Sequence, residues 1–206
     1  MPMNARPAVT PEPETPSWVD PLHHPATRTA LRDARRVLDA AIHILHQGES
    51  LLRTLSEQDY TTRLPDAFNA SIGGHYRHCL DHFSSVLWGM DAEVIDYDDR
   101  ARDTRVETDR EVALRLTRDL RDELLDLQPE LLGSCARVRC EVSYEPGVSP
   151  VTTSSLGREL VYAVAHAIHH FALIAVMARL LGASLPEPFG VAPSTRAHQL
   201  ANPDAA

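Results

Sequence analysis

Lysine is missing from this 206-residue chain; all 20 basic residues are Arg. That absence excludes a Schiff-base lysine and a P-loop lysine. Cysteine is scarce, at Cys79, Cys135 and Cys140. Three cysteines cannot all pair within one chain, so no disulfide framework is expected and a reducing cytosol is favoured. An excess of positive charge is also lacking: 29 acidic residues against 20 basic give a net charge of −9 with histidine neutral. Such a chain lacks the basic surface that releases counterions from a phosphate backbone, so no nucleic-acid partner is expected. No unbroken run of about 18 apolar residues occurs, so no membrane span is expected. The opening MPMNARPAVTPEPETPSW has no apolar signal core, and the expected location is cytoplasmic.

What is present is a globular profile, 43% hydrophobic and 24% charged, sufficient for one domain of ordinary size. Proline marks its limits. Seven of the 15 prolines fall in residues 1–25 and four lie after Leu185. Proline removes a backbone donor and breaks helices, so residues 1–27 are expected to form a disordered tail. Residues 28–185 then form the domain. Residues 186–206 are expected to be irregular, with Phe189 and Val191 available to anchor them.

Four helical patterns occupy the domain. The first runs from about Leu31 to Leu55 on a stripe through Leu38, Ile42 and Leu45, with Gly48 as a weak point. The second follows Ser71, a candidate N-cap, to about Met90. The third starts at Thr108, where Thr-Asp-Arg-Glu reads as a capping box, and continues through Leu116, Leu120 and Leu124. The fourth runs from Ser154 or Ser155 to Leu181, with Gly182 as its C′ residue. It is apolar nearly all round, so it is expected to be the most buried. Residues 91–107 form a long acidic connection, with 95–103 read mainly as a solvated loop. Between the third and fourth helices, residues 136–144 alternate with period two, Glu-Pro-Gly turns the chain and Val151-Thr-Thr returns, which predicts a small hairpin.

Histidine is the anomaly in composition. Six of the 11 fall in two short windows: His75, His78 and His82 in the second helix, and His166, His169 and His170 in the fourth. Residues three, four and seven apart share a helix face. Each buried imidazole needs a partner, and two clusters on two buried helices are costly without one. A transition metal supplies it, because neutral imidazole is a good ligand for Zn, Ni or Fe. A thiolate knuckle lacks a second cysteine pair, and neither window offers the Glu-x-x-His of a di-iron bundle. What remains is a site with one histidine from the second helix and two from the fourth, with open positions as in catalytic centres. On the fourth helix Tyr162 and Glu159 lie in line with His166. Tyr162 either donates to a metal-bound oxygen or belongs to the core. Glu159 either orients a histidine or serves the helix start, where an acid is favoured. Cys79 reads as a small buried hydrophobe.

Ser71-Ile72-Gly73 followed by His78, together with His166-Ala-Ile-His169-His170, resembles the DinB-like superfamily of metal-binding bundles. Its members include bacillithiol S-transferases and the mycothiol-dependent maleylpyruvate isomerase. The resemblance spans roughly residues 30–182. It implies an all-α fold: an antiparallel four-helix bundle, here with a long crossover and a small β-hairpin insertion between the third and fourth helices. It implies His78, His166 and His170 as ligands of one divalent transition metal, with His75, His82 and His169 in reserve. It further implies a low-molecular-weight thiol or other small molecule as partner, and a homodimer. Where many members continue with Arg-Gly-Gln, this chain has Phe171-Ala172-Leu173, so the polar contact of those residues is missing.

Overall fold

The computed structural model describes residues 25–145 and 147–202. Residues 1–24 of the expected tail lie outside the described residues. The first helix, α1, spans Pro25–Thr54 and so starts earlier than the apolar stripe suggests. Proline suits a first helical position, where its missing N–H would have no partner anyway. Gly48 does not interrupt α1. It is there because a Cβ at this position would overlap the Tyr76 hydroxyl of a neighbouring helix. A short α2 (Glu57–Thr61) leads to α3 (Ile72–Trp88). Ser71 caps α3 as expected: its hydroxyl accepts the Gly74 N–H at 3.0 Å.

The acidic connection is more ordered than its composition suggested. It contains a two-residue strand, β1 (Ile95–Asp96), and a one-turn helix, α4 (Thr104–Thr108), capped by Asp103. Ile95 and Tyr97 anchor it, both buried in the core. Two residues are too few to show a period-two pattern, so β1 is invisible in the sequence. Arg77 ties the end of the segment to α3, bonding Glu107 at 3.2 Å and Asp81 at 3.0 Å.

The next helix, α5, spans Arg110–Asp126. The capping box expected at Thr108 does not form. Thr108 is the last residue of α4, and Asp109 caps α5 by accepting from Glu111 N and Val112 N. A carboxylate one residue later serves the same donors, and sequence spacing alone does not choose between them. A 3₁₀ turn at Pro129–Gly133 precedes β2 (Cys135–Arg139), which pairs antiparallel with β3 (Val151–Ser155). The hairpin is thus present, although β2 stops five residues short of Tyr144. β1 adds to it in parallel, giving the order β1-β2-β3.

The last long helix, α6, spans Leu156–Leu180, capped by Ser155 at one end. At the other end Gly182 adopts φ +73, Gly182 N–H donates to Arg179 O and Ala183 N–H to Ala178 O. These two bonds form a Schellman motif. α6 packs on α1 and α3, while α5 packs on α1 and α3. The protein is therefore mostly helical with one small sheet. α6 is not the most buried helix all round: Val161, Leu173, Val176 and Leu180 are exposed. By length and hydropathy alone it could cross a membrane. The tail expected to be irregular carries a helix, α7 (Pro193–Ala201). Phe189 does anchor this end, stacking on Phe171 at 4.7 Å between ring centroids.

Tyr76 is held by its bond to Thr117 Oγ1 at 2.9 Å and by stacking on Phe171. Gly48→Ala should therefore push a fixed ring out of place. The expected loss is about 1–3 kcal/mol of unfolding free energy, read from denaturant midpoints. An unchanged midpoint would mean that the α1–α3 approach relaxes freely.

Candidate metal centre

Both histidine windows fold as helices that face each other across the α3–α6 contact. On α3, His78 and His82 are one turn apart; on α6, His166 and His170 are one turn apart. The four rings form a box. Ring centroids are 4.7 Å apart for His78–His82, 4.8 Å for His78–His166, 4.7 Å for His78–His170, 4.1 Å for His82–His166 and 4.5 Å for His166–His170. His78 Nε2 and His166 Nε2 lie 2.9 Å apart. His75 stands outside the box, its Nδ1 2.9 Å from that of His170. His169 is exposed, with its ring 5.4 Å from that of His170.

Of the residues expected as ligands, His78 and His166 lie together at the centre. With His82, expected only in reserve, they place one ligand nitrogen each within 4.8 Å of one another. His170 is the fourth corner and faces His75.

Burial keeps these imidazoles neutral. It is the main cause that lowers His78 to about 4, His82 to about 2 and His170 to about 3, with neighbouring imidazoles and, for His78 and His82, Arg100 acting in the same direction. Burial also lowers His75 and His166, with His169 adding to the effect. Neutral imidazole is the form that binds a metal. Among the described residues His82 Nδ1 has no hydrogen-bond partner, although it is buried. An all-nitrogen donor set with an unmet lone pair or proton fits a borderline transition metal better than calcium or magnesium, which want oxygen.

Tyr162 stacks on His166 at 5.8 Å and meets His82 edge-on at 5.7 Å. Glu159 is buried and accepts from Tyr97 Oη at 2.9 Å and Ser154 Oγ at 2.5 Å. It reaches the cluster through Tyr97, whose ring lies 5.1 Å from His82. Burial, reinforced by Glu159, raises the Tyr97 hydroxyl, which stays protonated. Cys79 is fully buried, and burial raises its thiol, so it is a core residue. A cavity of about 400 Å³ opens on His78, His82 and His166, with Tyr162, Arg100 and Cys140 in its walls.

Two site residues were missed by the helical spacing argument: Tyr97 and Arg100. Arg100 donates to His78 Nδ1 at 2.8 Å and lies 3.3 Å from His82 Nε2. Both sit in the acidic connection, where no periodic pattern marks them.

Sequence comparison gives the family. The family model of the DinB superfamily matches residues 30–174, and the chain belongs to that superfamily. Among curated proteins, the chain is 33% identical over 105 residues to FK506-binding protein 5 of Rhizopus delemar. That match covers 51% of this chain and 27% of the relative, so the chain spans about a quarter of that protein's length. No solved structure matches the chain.

Two outcomes follow from the site. Ordinary imidazole titrates near 6.5. The folded histidines titrate lower, so below that pH the unfolded chain binds more protons than the folded one. Stability of chelator-treated protein is then full above about pH 6.5 and lost progressively toward about pH 4. Urea melts across that range check this, and His82→Asn should flatten the decline; an equally steep decline in the variant would assign it to other groups. Separately, Tyr97→Phe removes one of two donors to buried Glu159. It should cost about 1–3 kcal/mol, measured by the same melts; no loss would mean that Glu159 finds another donor.

Proposed function

We propose that this chain binds one divalent transition metal, Zn, Ni or Fe, in the histidine box and uses it as a metal-dependent enzyme on a small molecule. Its four long helices then form the antiparallel bundle of its superfamily. When bound, the ion would lower the pKa of a thiol or water and make it a nucleophile. The carrying observation is the cavity of about 400 Å³ that opens on three of the four imidazoles. An ion with a side open to a cavity has room for a substrate, whereas a purely structural ion is closed by protein ligands. Within the cavity, Tyr162 is placed to donate a hydrogen bond. Tyr97, held by Glu159, fixes the His82 ring. A low-molecular-weight thiol is the partner suggested by the superfamily. The reading also keeps the protein cytoplasmic, off nucleic acid and off the membrane. A homodimer would use the exposed face of α6 through Val161, Val176 and Leu180.

A second reading has its own support. One histidine pair stands on each of α3 and α6, so a bound ion would clamp the two helices whether or not it does chemistry. Coordination of the bound ion separates the readings: a water-bearing open position supports catalysis, and a shell closed by four protein ligands supports a structural ion.

Elemental analysis of untagged protein should give about one ion per chain. His78→Ala and His166→Ala should each abolish it, because both belong to either triad. Of His170→Ala and His82→Ala, the one that also abolishes it names the third ligand. Full retention in His78→Ala would remove the metal reading. Turnover of an electrophile with glutathione, bacillithiol, mycothiol or cysteine by the loaded protein, absent from the stripped protein, is the expected sign of catalysis.

A further inference from the structure

Arg100 is a half-buried guanidinium with no carboxylate partner among the described residues. Its bonds run to His78 Nδ1 and His82 Nε2, and its Nε is buried without a partner. Its charge acts on the Asp81 carboxylate from a distance, yet in a chain with 29 acidic residues against 20 basic the lack of a direct ion pair needs a reason. Leaving a buried cation without an opposite charge is costly.

The geometry also sets the tautomer of His78. A guanidinium only donates, so His78 Nδ1 accepts. The proton of neutral His78 is then on Nε2, the atom facing His166 Nε2 at 2.9 Å. In that tautomer neither nitrogen of His78 has a lone pair free. A cation on Nε2 requires the proton to move to Nδ1, where it would meet the Arg100 N–H. A cation on Nδ1 requires the place of Arg100 itself. In both cases Arg100 has to leave His78.

The cavity beside it supplies a destination. Its walls carry Arg100 and Arg102 and also Asp98 and Glu141, so its formal charge is balanced as it stands. Arg102 projects there from a left-handed backbone, φ 46, and its guanidinium donates to the Asp98 carbonyl oxygen. Asp98 Oδ1 accepts from the Glu141 N–H, and Asp98 Oδ2 is buried without a partner among the described residues, so neither oxygen is bonded by an arginine. A divalent cation in the box would leave the whole site with excess positive charge.

We propose that Arg100 is the receptor for a small carboxylate that binds together with the cation: the cation displaces the guanidinium from His78 and His82, and the freed fork takes the carboxylate in the adjoining cavity. A guanidinium matches a carboxylate with two parallel bonds, and the unused Nε is available for one of them. Cation and carboxylate then favour each other's binding reciprocally. The inference rests on the metal reading above and adds the charge class of the substrate. It does not depend on whether His82 or His170 is the third ligand.

The test is calorimetric titration of zinc into chelator-stripped protein, with and without acetate, for the wild type, Arg100→Ala and Arg100→Gln. Gln keeps most of the side-chain volume should Ala fail to fold. Without acetate, both variants should bind zinc about fivefold or more tightly than the wild type, the lower end of ordinary coupling. Acetate should tighten zinc binding several-fold in the wild type and leave the variants unchanged. Equal or weaker zinc binding by the folded variants overturns the proposal. So does acetate having no effect on the wild type, or the same effect on wild type and variants. Those results leave the metal reading standing. Zinc binding by none of the proteins removes the metal reading, and this inference with it.

Discussion

The packing of α3 on α6 is the contact on which the site depends. It places His78 and His82 opposite His166 and His170, with ring centroids between 4.1 and 4.8 Å for five of the six pairings. Either helix alone would present two imidazoles to solvent at ordinary pKa. Brought together and half-buried, they are driven neutral by loss of hydration. The same desolvation that makes the cluster costly in the folded chain makes it a competent nitrogen donor set.

Around that contact the scaffold is conventional. Buried Leu51, Leu52, Ile72, Leu80, Leu120, Leu160 and Ile174 fill the space between the long helices. Serine and aspartate hydroxyls and carboxylates cap α3, α5 and α6. The unusual part is the connection between α3 and α5. It runs as a strand along the hairpin, buries Tyr97 against Glu159, and returns as α4 on the Arg77–Glu107 pair. Its ends are thus fixed on both sides of Arg100. A short segment anchored at its ends holds a guanidinium over the imidazoles while leaving room for it to turn.

The site joins three chemically different walls: the imidazoles of the two helices, the tyrosines Tyr97 and Tyr162, and the arginines and carboxylates of the cavity rim. The histidines are suited to a cation, the tyrosines stay protonated because burial raises them, and the rim carries arginines without ion-pair partners among the described residues. The DinB superfamily match covers the histidines of both α3 and α6. It does not by itself account for Arg100 or for the connection that carries it.

The elements with strong local signals were legible in the sequence. The apolar stripes located the four long helices, Ser71 and Gly182 marked ends that form as expected, and histidine spacing put His75, His78 and His82 on one helix face and His166 and His170 on another. These are properties of a single helical turn or cap, set by residues within four positions of one another. What failed were choices between equivalent neighbours and pairings at a distance. Thr108 and Asp109 both offer a cap, and packing selected Asp109. β1 exists only because β2, more than 40 residues later, is there to pair with it. His82 entered the centre, and Tyr97 and Arg100 joined it, through contacts 18 to 84 residues apart in sequence. Sequence by itself determined which residues could ligate a metal. Only the tertiary structure decided which of them converge and what occupies their lone pairs, because those depend on the approach of separate elements and on the water it excludes.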